Sequence, residues 1–162
     1  MGTSSTVINN IVDALKTDIQ TATTLGLGES PRVYERDEEP AQIERENLPC
    51  AFVIPFLEEG CEISMSMPMF PASWEFGISA MAFYKGTGDT PQDLETDLRT
   101  IRGYSLNFVD IYRDALSSGT PCGTQLNRGM IRHIGLSQGY WISGGGNVFH
   151  FWKAKISITT KI

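Results

Sequence analysis

The spacing of apolar residues along the chain predicts two amphipathic helices. Over residues 7–22, apolar residues recur at helical spacing with polar residues between them, so a first helix should cover one face of an apolar layer. A longer helix should begin at Thr90, which can cap it, and Pro91, which suits the first helical position because no N–H is needed there. Its apolar stripe consists of Leu94, Leu98, Ile101, Ser105, Phe108, Val109, Tyr112, Ala115 and Leu116.

The stripe also indicates which side of the long helix should be buried. We expect Leu98 and Phe108 to pack on a sheet, and Glu95 and Asp97 to lie on the opposite, solvated side with other charged residues. Gly103 costs about 1 kcal/mol relative to alanine inside a helix. Because the stripe keeps its register across this glycine, we predict one helix rather than two.

Alternating apolar and polar residues predict strands between the two helices. A short strand is expected at Arg32–Tyr34, and the strongly apolar residues 48–57 should form a buried strand bounded by prolines. Residues 61–69 and 74–84 have the period of two that is typical of strands. These segments should form an antiparallel meander.

Further strands are predicted after the long helix. Residues 130–136 and 138–142 should be two short strands, and the glycine-rich residues 144–147 should close a hairpin because Gly and Asn tolerate positive φ. Residues 148–162 should return as a strand with one apolar face. The order of elements predicts a single α+β domain over residues 1–162, a mostly antiparallel sheet with two helices packed on one face.

Two segments depart from this regular pattern. Residues 35–47 should be a charged loop, which is either a solvated connection or a loop that becomes ordered against a partner. Residues 60–72 should be a Met-rich hairpin extension, whose side chains lie either in a subunit interface or in ordinary core. The interface candidates in these two segments are Glu38, Glu39, Arg45, Met65, Met67, Met69 and Phe70.

Composition narrows the class of protein. Hydrophobic residues are 41% and charged residues 20% of the chain, which is typical of a globular domain. A net charge of −6 disfavours a general nucleic-acid binder, because phosphates are neutralised by Lys and Arg. Neither a membrane span nor a secretory leader is expected, so we predict a soluble protein made in a cytoplasm. Cys50, Cys61 and Cys122 lack metal-site spacing and should be free thiols.

The sequence contains no cluster of residues that predicts catalysis. His133 and His150 lack a neighbouring His, Cys or carboxylate at ligand spacing, so each is interpreted as a structural or surface residue and no metal is expected. The Gly86–Gly88 turn precedes a helix as a phosphate-binding loop does, but no Lys-Ser or Lys-Thr follows it, and Asp89 would repel a phosphate. We therefore predict a protein that is not an enzyme and has no cofactor.

The layout of the chain resembles the tail terminator (minor tail protein U-like) family of long-tailed bacteriophages. The matching parts are the first helix, the apolar strand at residues 50–57, residues 74–84 followed by the helix at Thr90 and Pro91, and the closing strand at residues 152–162. The resemblance implies a structural virion protein, assembled in the host cytoplasm, that forms a ring, usually a hexamer, on the tail tube. It also implies that the ring stops tube growth and joins the tail to the head–tail connector.

The resemblance suggests partners and a role for the closing strand. The expected partners are further copies of the chain, the tail tube protein, the connector or head-closure protein and, in passing, the DNA in the ring lumen, with no membrane. Lys153, Lys155 and Lys161 stand at alternate positions of an otherwise acidic chain and should meet an acidic surface or DNA, or else only keep the strand soluble. The alternatives are a head-closure or connector neck protein and a monomeric ligand-binding or interaction domain.

Overall fold

Two helices cover the same face of a mostly antiparallel sheet, so the protein has the α+β fold that the sequence predicts. The structure is a computed structural model that describes residues 4–35, 45–55, 61–64, 73–118 and 129–161. Its elements in chain order are α1 (Ser4–Thr21), β1 (Arg32–Tyr34), β2 (Cys50–Pro55), β3 (Cys61–Ser64), β4 (Ser73–Lys85), α2 (Pro91–Ser118), β5 (Gly129–Ile142) and β6 (Val148–Lys161).

The strands of the sheet are arranged in the order β1-β2-β4-β6-β5, and β3 pairs with β4 beside this row. Strand β4 pairs with β6 along the whole length of β4, from residue 73 to residue 85. The other edge of β4 is therefore shared by β2, which pairs with residues 78–83, and β3, which pairs with residues 73–76. Among the described strand pairs, only that of β1 with β2 is parallel. Among the described strands, β5 lies at one edge of the sheet.

Both predicted helices are confirmed. In α1, Ile11, Leu15 and Ile19 are fully buried and belong to one core cluster with the helix-facing residues of β2, β4 and β6. Helix α2 begins where the cap predicts, with the Asp93 N–H donating to the Thr90 hydroxyl oxygen over 3.2 Å. It continues as one helix to Ser118.

The buried side of α2 is close to the predicted stripe. Phe108 is fully buried, with its ring centroid 4.9 Å from that of Trp152 on β6, as predicted. Leu98 is only half-buried, because it lies towards the outer side of the helix, beside β5. The prediction that Asp97 faces solvent is wrong. Its side chain is buried because its carboxylate contacts Thr87 and His150.

Strand β5 corrects the prediction of two short strands. A β-bulge at Arg132 breaks the alternation, since Ile131 pairs with Ile158 and His133 pairs with Ser157. The extra residue brings both Ile131 and Ile134 to the helix-facing side, where they pack against the core. Downstream, Gly139 lies within the strand and pairs with Phe151. A Cβ atom at this position would lie 2.8 Å from the Phe151 ring, so glycine leaves room for that ring.

The hairpin and the closing strand are confirmed. Ser143 N–H donates to the Asn147 carbonyl over 2.8 Å, and Gly146 adopts a φ of +79°, which glycine tolerates without strain. In β6, His150, Trp152, Ala154, Ile156 and Ile158 are fully buried under the helices. The predicted alternation therefore describes this strand correctly.

Parts of the remaining predictions lie outside the described residues. Strand β2 occupies residues 50–55 of the predicted 48–57, and β3 confirms residues 61–64 of the predicted 61–69. Ser64 pairs with Ser73, so β3 and β4 are the two arms of the predicted hairpin. The end of the charged segment, Arg45–Asn47, is a 3-10 turn. No helix within the described parts of the chain is long and apolar enough to cross a membrane.

Candidate interaction surface

The sheet face away from the helices has an aromatic half. One ring from each of four neighbouring strands lies in a row with centroids 5.7 Å apart, in the order Tyr34, Phe52, Phe83 and Phe151. Phe52 and Phe83 are only 1% and 2% exposed, so the middle of the row is a second hydrophobic cluster. Trp141 extends the aromatic surface on β5, where its ring lies 5.2 Å from that of Phe149. This half of the face is aromatic and largely buried.

The other half of the same face carries two of the predicted lysines. Lys153 stands between Met81 on β4 and Ser137 on β5, and Lys155 stands between Ser79 and Gly135. Both lysines are half-exposed, and their neighbours on either side are mostly small or hydroxyl-bearing. Lys161 lies further along β6, in register with Ser73. The fold therefore places Lys153 and Lys155 on one surface, as the alternation predicts.

A buried polar cluster lies on the opposite, helix-covered side. The Asp97 carboxylate accepts hydrogen bonds from the Thr87 N–H over 2.9 Å and from the Thr87 hydroxyl over 3.1 Å. Its Oδ2 also lies 3.2 Å from Nε2 of His150, whose ring is fully buried. The ring of Tyr140 covers His150, with centroids 5.8 Å apart. The cluster connects the turn before α2, the first half of α2 and the start of β6.

Burial determines the protonation of this cluster. Removal of the His150 ring from water lowers its pKa, and the nearby Asp97 charge opposes this shift without cancelling it. His150 is therefore neutral in the folded protein at neutral pH. Neither ring nitrogen of His150 has a hydrogen bond of good geometry among the described residues, so the 3.2 Å approach of Nε2 to Asp97 is a close polar contact. The Asp97 side chain is only 12% exposed, and its carboxylate links the turn at Thr87 to the closing strand at His150.

The two histidines have different environments. His150 was interpreted as structural or surface, and the structure buries it beside a carboxylate that is distant in sequence. His133 is exposed on β5. Within the described ranges, no three His, Cys, Asp or Glu side chains come together in a way that would hold a metal ion. Cys50 is a buried thiol on β2.

A groove and an exposed strand edge lie on the outer side of α2. The groove separates the first turns of α2 from β5, and half-buried Leu98 lies in it. Beside it, β5 exposes Leu136, Tyr140 and Ile142 to 37%, 45% and 45%. The sequence did not predict that Leu136, Tyr140 and Ile142 are exposed, because their alternating spacing is equally typical of a strand face that packs on the core. The groove is lined by Pro91, Leu94, Glu95, Leu98, Arg99, Arg102 and Tyr140.

The other predicted interface residues are not brought together by the described structure. Arg45 is the first residue of the 3-10 turn before β2. Glu38 and Glu39 of the charged loop, and Met65, Met67, Met69 and Phe70 of the hairpin, lie outside the described residues. Comparison of the chain with protein-family models and with curated proteins finds no match.

Proposed function

We propose that the protein is a structural virion protein that forms a ring on the tail tube of a long-tailed phage. In this proposal the ring, with six copies, ends tube growth and joins the tail to the head–tail connector at the neck. The proposal combines the layout that resembles tail terminators with one structural observation, the lysine-bearing half of the helix-free sheet face. The protein acts by binding its partners and carries out no catalysis.

The lysine-bearing half supports the proposal because it is unusual in this chain. The protein has 19 acidic and 13 basic residues, so its net charge repels an acidic partner. Lys153 and Lys155 lie on β6 beside Ser137 and Gly135 of β5. Two lysines on one surface of an acidic protein suit a contact with an acidic protein surface or with DNA that passes through the lumen.

The aromatic half supports an anchoring role for the same face. The row from Tyr34 to Phe151 crosses four strands, and its members contact one another at tilted or edge-to-face angles. Packing of this kind makes the sheet rigid, and a rigid platform holds the neighbouring lysines at fixed positions. A ring subunit needs such rigidity, because small errors in subunit angle prevent closure.

The test is assembly on tail tubes. The purified protein is examined by light scattering and negative-stain microscopy, alone and with tubes that lack it. We expect rings at tube ends and tubes that no longer lengthen when tube protein is added. A protein that remains an 18 kDa species and leaves tube growth unchanged contradicts the proposal. Binding to connectors but not to tubes supports the head-closure alternative, and binding to neither supports the monomeric interaction domain.

A further inference from the structure

The outer edge of β5 has the composition of a pairing surface. Ile134 to Ser143 contains no charged residue and no proline, although one fifth of the chain is charged. Exposed edge strands of soluble proteins are usually protected by charges, prolines or short length, because their free N–H and C=O groups pair with other strands. Strand β5 is 14 residues long, and among the described residues no strand pairs with its outer edge.

The side chains of β5 point to the same conclusion. Leu136, Tyr140 and Ile142 are three of the four large hydrophobic residues that are exposed in the described structure. They share the helix-facing side of β5, because they pair with the buried residues Ala154, His150 and Val148. An apolar side next to an uncharged strand edge is a surface for another strand rather than for solvent.

We propose that this edge pairs with the same edge of a second copy of the chain, antiparallel, about a two-fold axis at Gln138. In this register Leu136 lies opposite Tyr140 of the second copy, and Ile134 lies opposite its Ile142, so each exposed apolar residue meets another. On the other face, Gly135 lies opposite Trp141, which leaves room for the indole ring. A slip of two residues in either direction places the Gln138 amide opposite an apolar residue.

Charge does not oppose a second copy at this edge. The chain carries a net charge of −6, and two copies repel each other over most of their surfaces. The paired segments carry no charge, so no like charges face each other across this contact. Because the same patch is used on both chains, the contact is isologous and ends at two copies. It is independent of the proposed ring, which needs heterologous contacts on other surfaces.

A disulfide at the axis tests both the pairing and its register. In Gln138→Cys, the two thiols of a pair lie directly opposite, within the 4.4–6.8 Å Cα separation that a disulfide requires. We expect mild oxidation to give a covalent dimer, with the joined peptide identified by mass spectrometry. Leu106→Cys is the control, because this residue is 51% exposed on α2 and away from the edge. Cross-linking at residue 138 no faster than at residue 106 overturns the proposal.

A charge exchange tests the contact without covalent trapping. Leu136→Lys with Tyr140→Lys, and Leu136→Glu with Tyr140→Glu, each place like charges opposite each other in a self-paired edge. In the absence of tail tubes, we expect the parent at twice the 17.9 kDa chain mass and each double variant at the single mass. A mixture of the two variants should return to the double mass, which also shows that both are folded. A parent that remains a monomer, or a mixture that does not associate, overturns the proposal.

Discussion

His150 on β6 lies 3.2 Å from the carboxylate of Asp97 on α2, although the two residues are far apart in the sequence. The same carboxylate accepts two hydrogen bonds from Thr87, in the turn that leads from β4 to α2. This single acidic group therefore fixes the start of the long helix against the closing strand. Its position explains why a charged residue is buried on the helix-covered side of the sheet.

Loss of the Asp97 carboxylate should destabilise the protein. Asp97→Ala removes the charged acceptor of the hydrogen bonds from Thr87 and the charged neighbour of the buried His150 ring, and a hydrogen bond to a charged group contributes about 1.5–3 kcal/mol. The free energy of unfolding in urea should fall by that amount. Glu95→Ala is the matched control on the same helix, where the exposed ion pair with Arg99 contributes within about 0.5 kcal/mol. Equal losses for both variants would contradict a structural role for Asp97.

Asp18 and His150 should change the free energy of unfolding in opposite directions as the pH rises. Burial raises the pKa of Asp18 from 3.8 to about 6, although its hydrogen bond from Tyr112 opposes the shift. The folded state then binds the proton more tightly, so this stabilisation is present below pH 3.8 and is lost as pH rises through about 6. For His150, the lowered pKa means that only the unfolded state becomes protonated just below pH 6.5, so stability falls as pH drops from there.

Substitutions separate these two effects. Urea unfolding between pH 4 and pH 8 should show a smaller loss of stability with rising pH in Asp18→Asn than in the parent, between about pH 4 and pH 6. In His150→Gln, the loss below pH 6.5 should disappear. A parent-like pH profile in either variant would show that the substituted group does not titrate as its surroundings predict.

Truncation of Phe108, on the buried side of α2, should cause a large loss of stability. Its ring is fully buried between Tyr112 and Trp152, at centroid distances of 5.3 and 4.9 Å. Phe108→Ala should lower the free energy of unfolding by about 3–5 kcal/mol. Leu106→Ala, two residues away and 51% exposed, should change it by less than about 0.5 kcal/mol. Calorimetry or urea unfolding gives both values. A small loss of unfolding free energy in Phe108→Ala would mean that a different face of α2 packs on the sheet.

Two glycines should respond to alanine with opposite signs. Gly26 has a φ of +67°, and an added Cβ would lie 2.3 Å from Cζ of Tyr104, whose ring stacks on Tyr84. Gly26→Ala should therefore destabilise the protein. Gly103 lies in α2 with open space at its Cβ position, so Gly103→Ala should stabilise by up to about 1 kcal/mol. Thermal unfolding midpoints that move in the same direction would contradict this explanation.

Reversal of charge on the lysine-bearing half should impair assembly and leave the fold intact. Lys153→Glu with Lys155→Glu should give normal urea unfolding and a reduced yield of joined particles in a head-to-tail assembly reaction, because the contact with an acidic partner becomes repulsive. Arg99→Glu with Arg102→Glu is the control, since both residues are exposed on α2, on the helix-covered side of the sheet, and the net charge changes equally. A lysine variant that assembles as well as the control would contradict an assembly role for these two side chains.

The elements that sequence periodicity predicted well are those in which one face is buried along the whole length. In β6 every second residue from His150 to Ile158 is core-facing, and in α2 the residues at Ile101, Phe108 and Tyr112 repeat at helical spacing. In these two elements the periodicity alone determines which side is apolar, whereas β4 is buried on both faces. The cap at Thr90 and the glycine turn before Val148 are equally local, since a short run of residues determines each of them.

Only the tertiary structure decided the features that depend on contacts between distant residues. Asp97 is spaced on the helix like a solvated residue, and it is buried because Thr87 and His150 meet it there. Strand β5 is continuous across Ser137 because its residues pair with β6 without interruption from His133 to Ile142. The sequence alone determined which residues prefer burial, while the packing of α2 and the order of strands determined which polar groups are buried and which apolar edge is exposed.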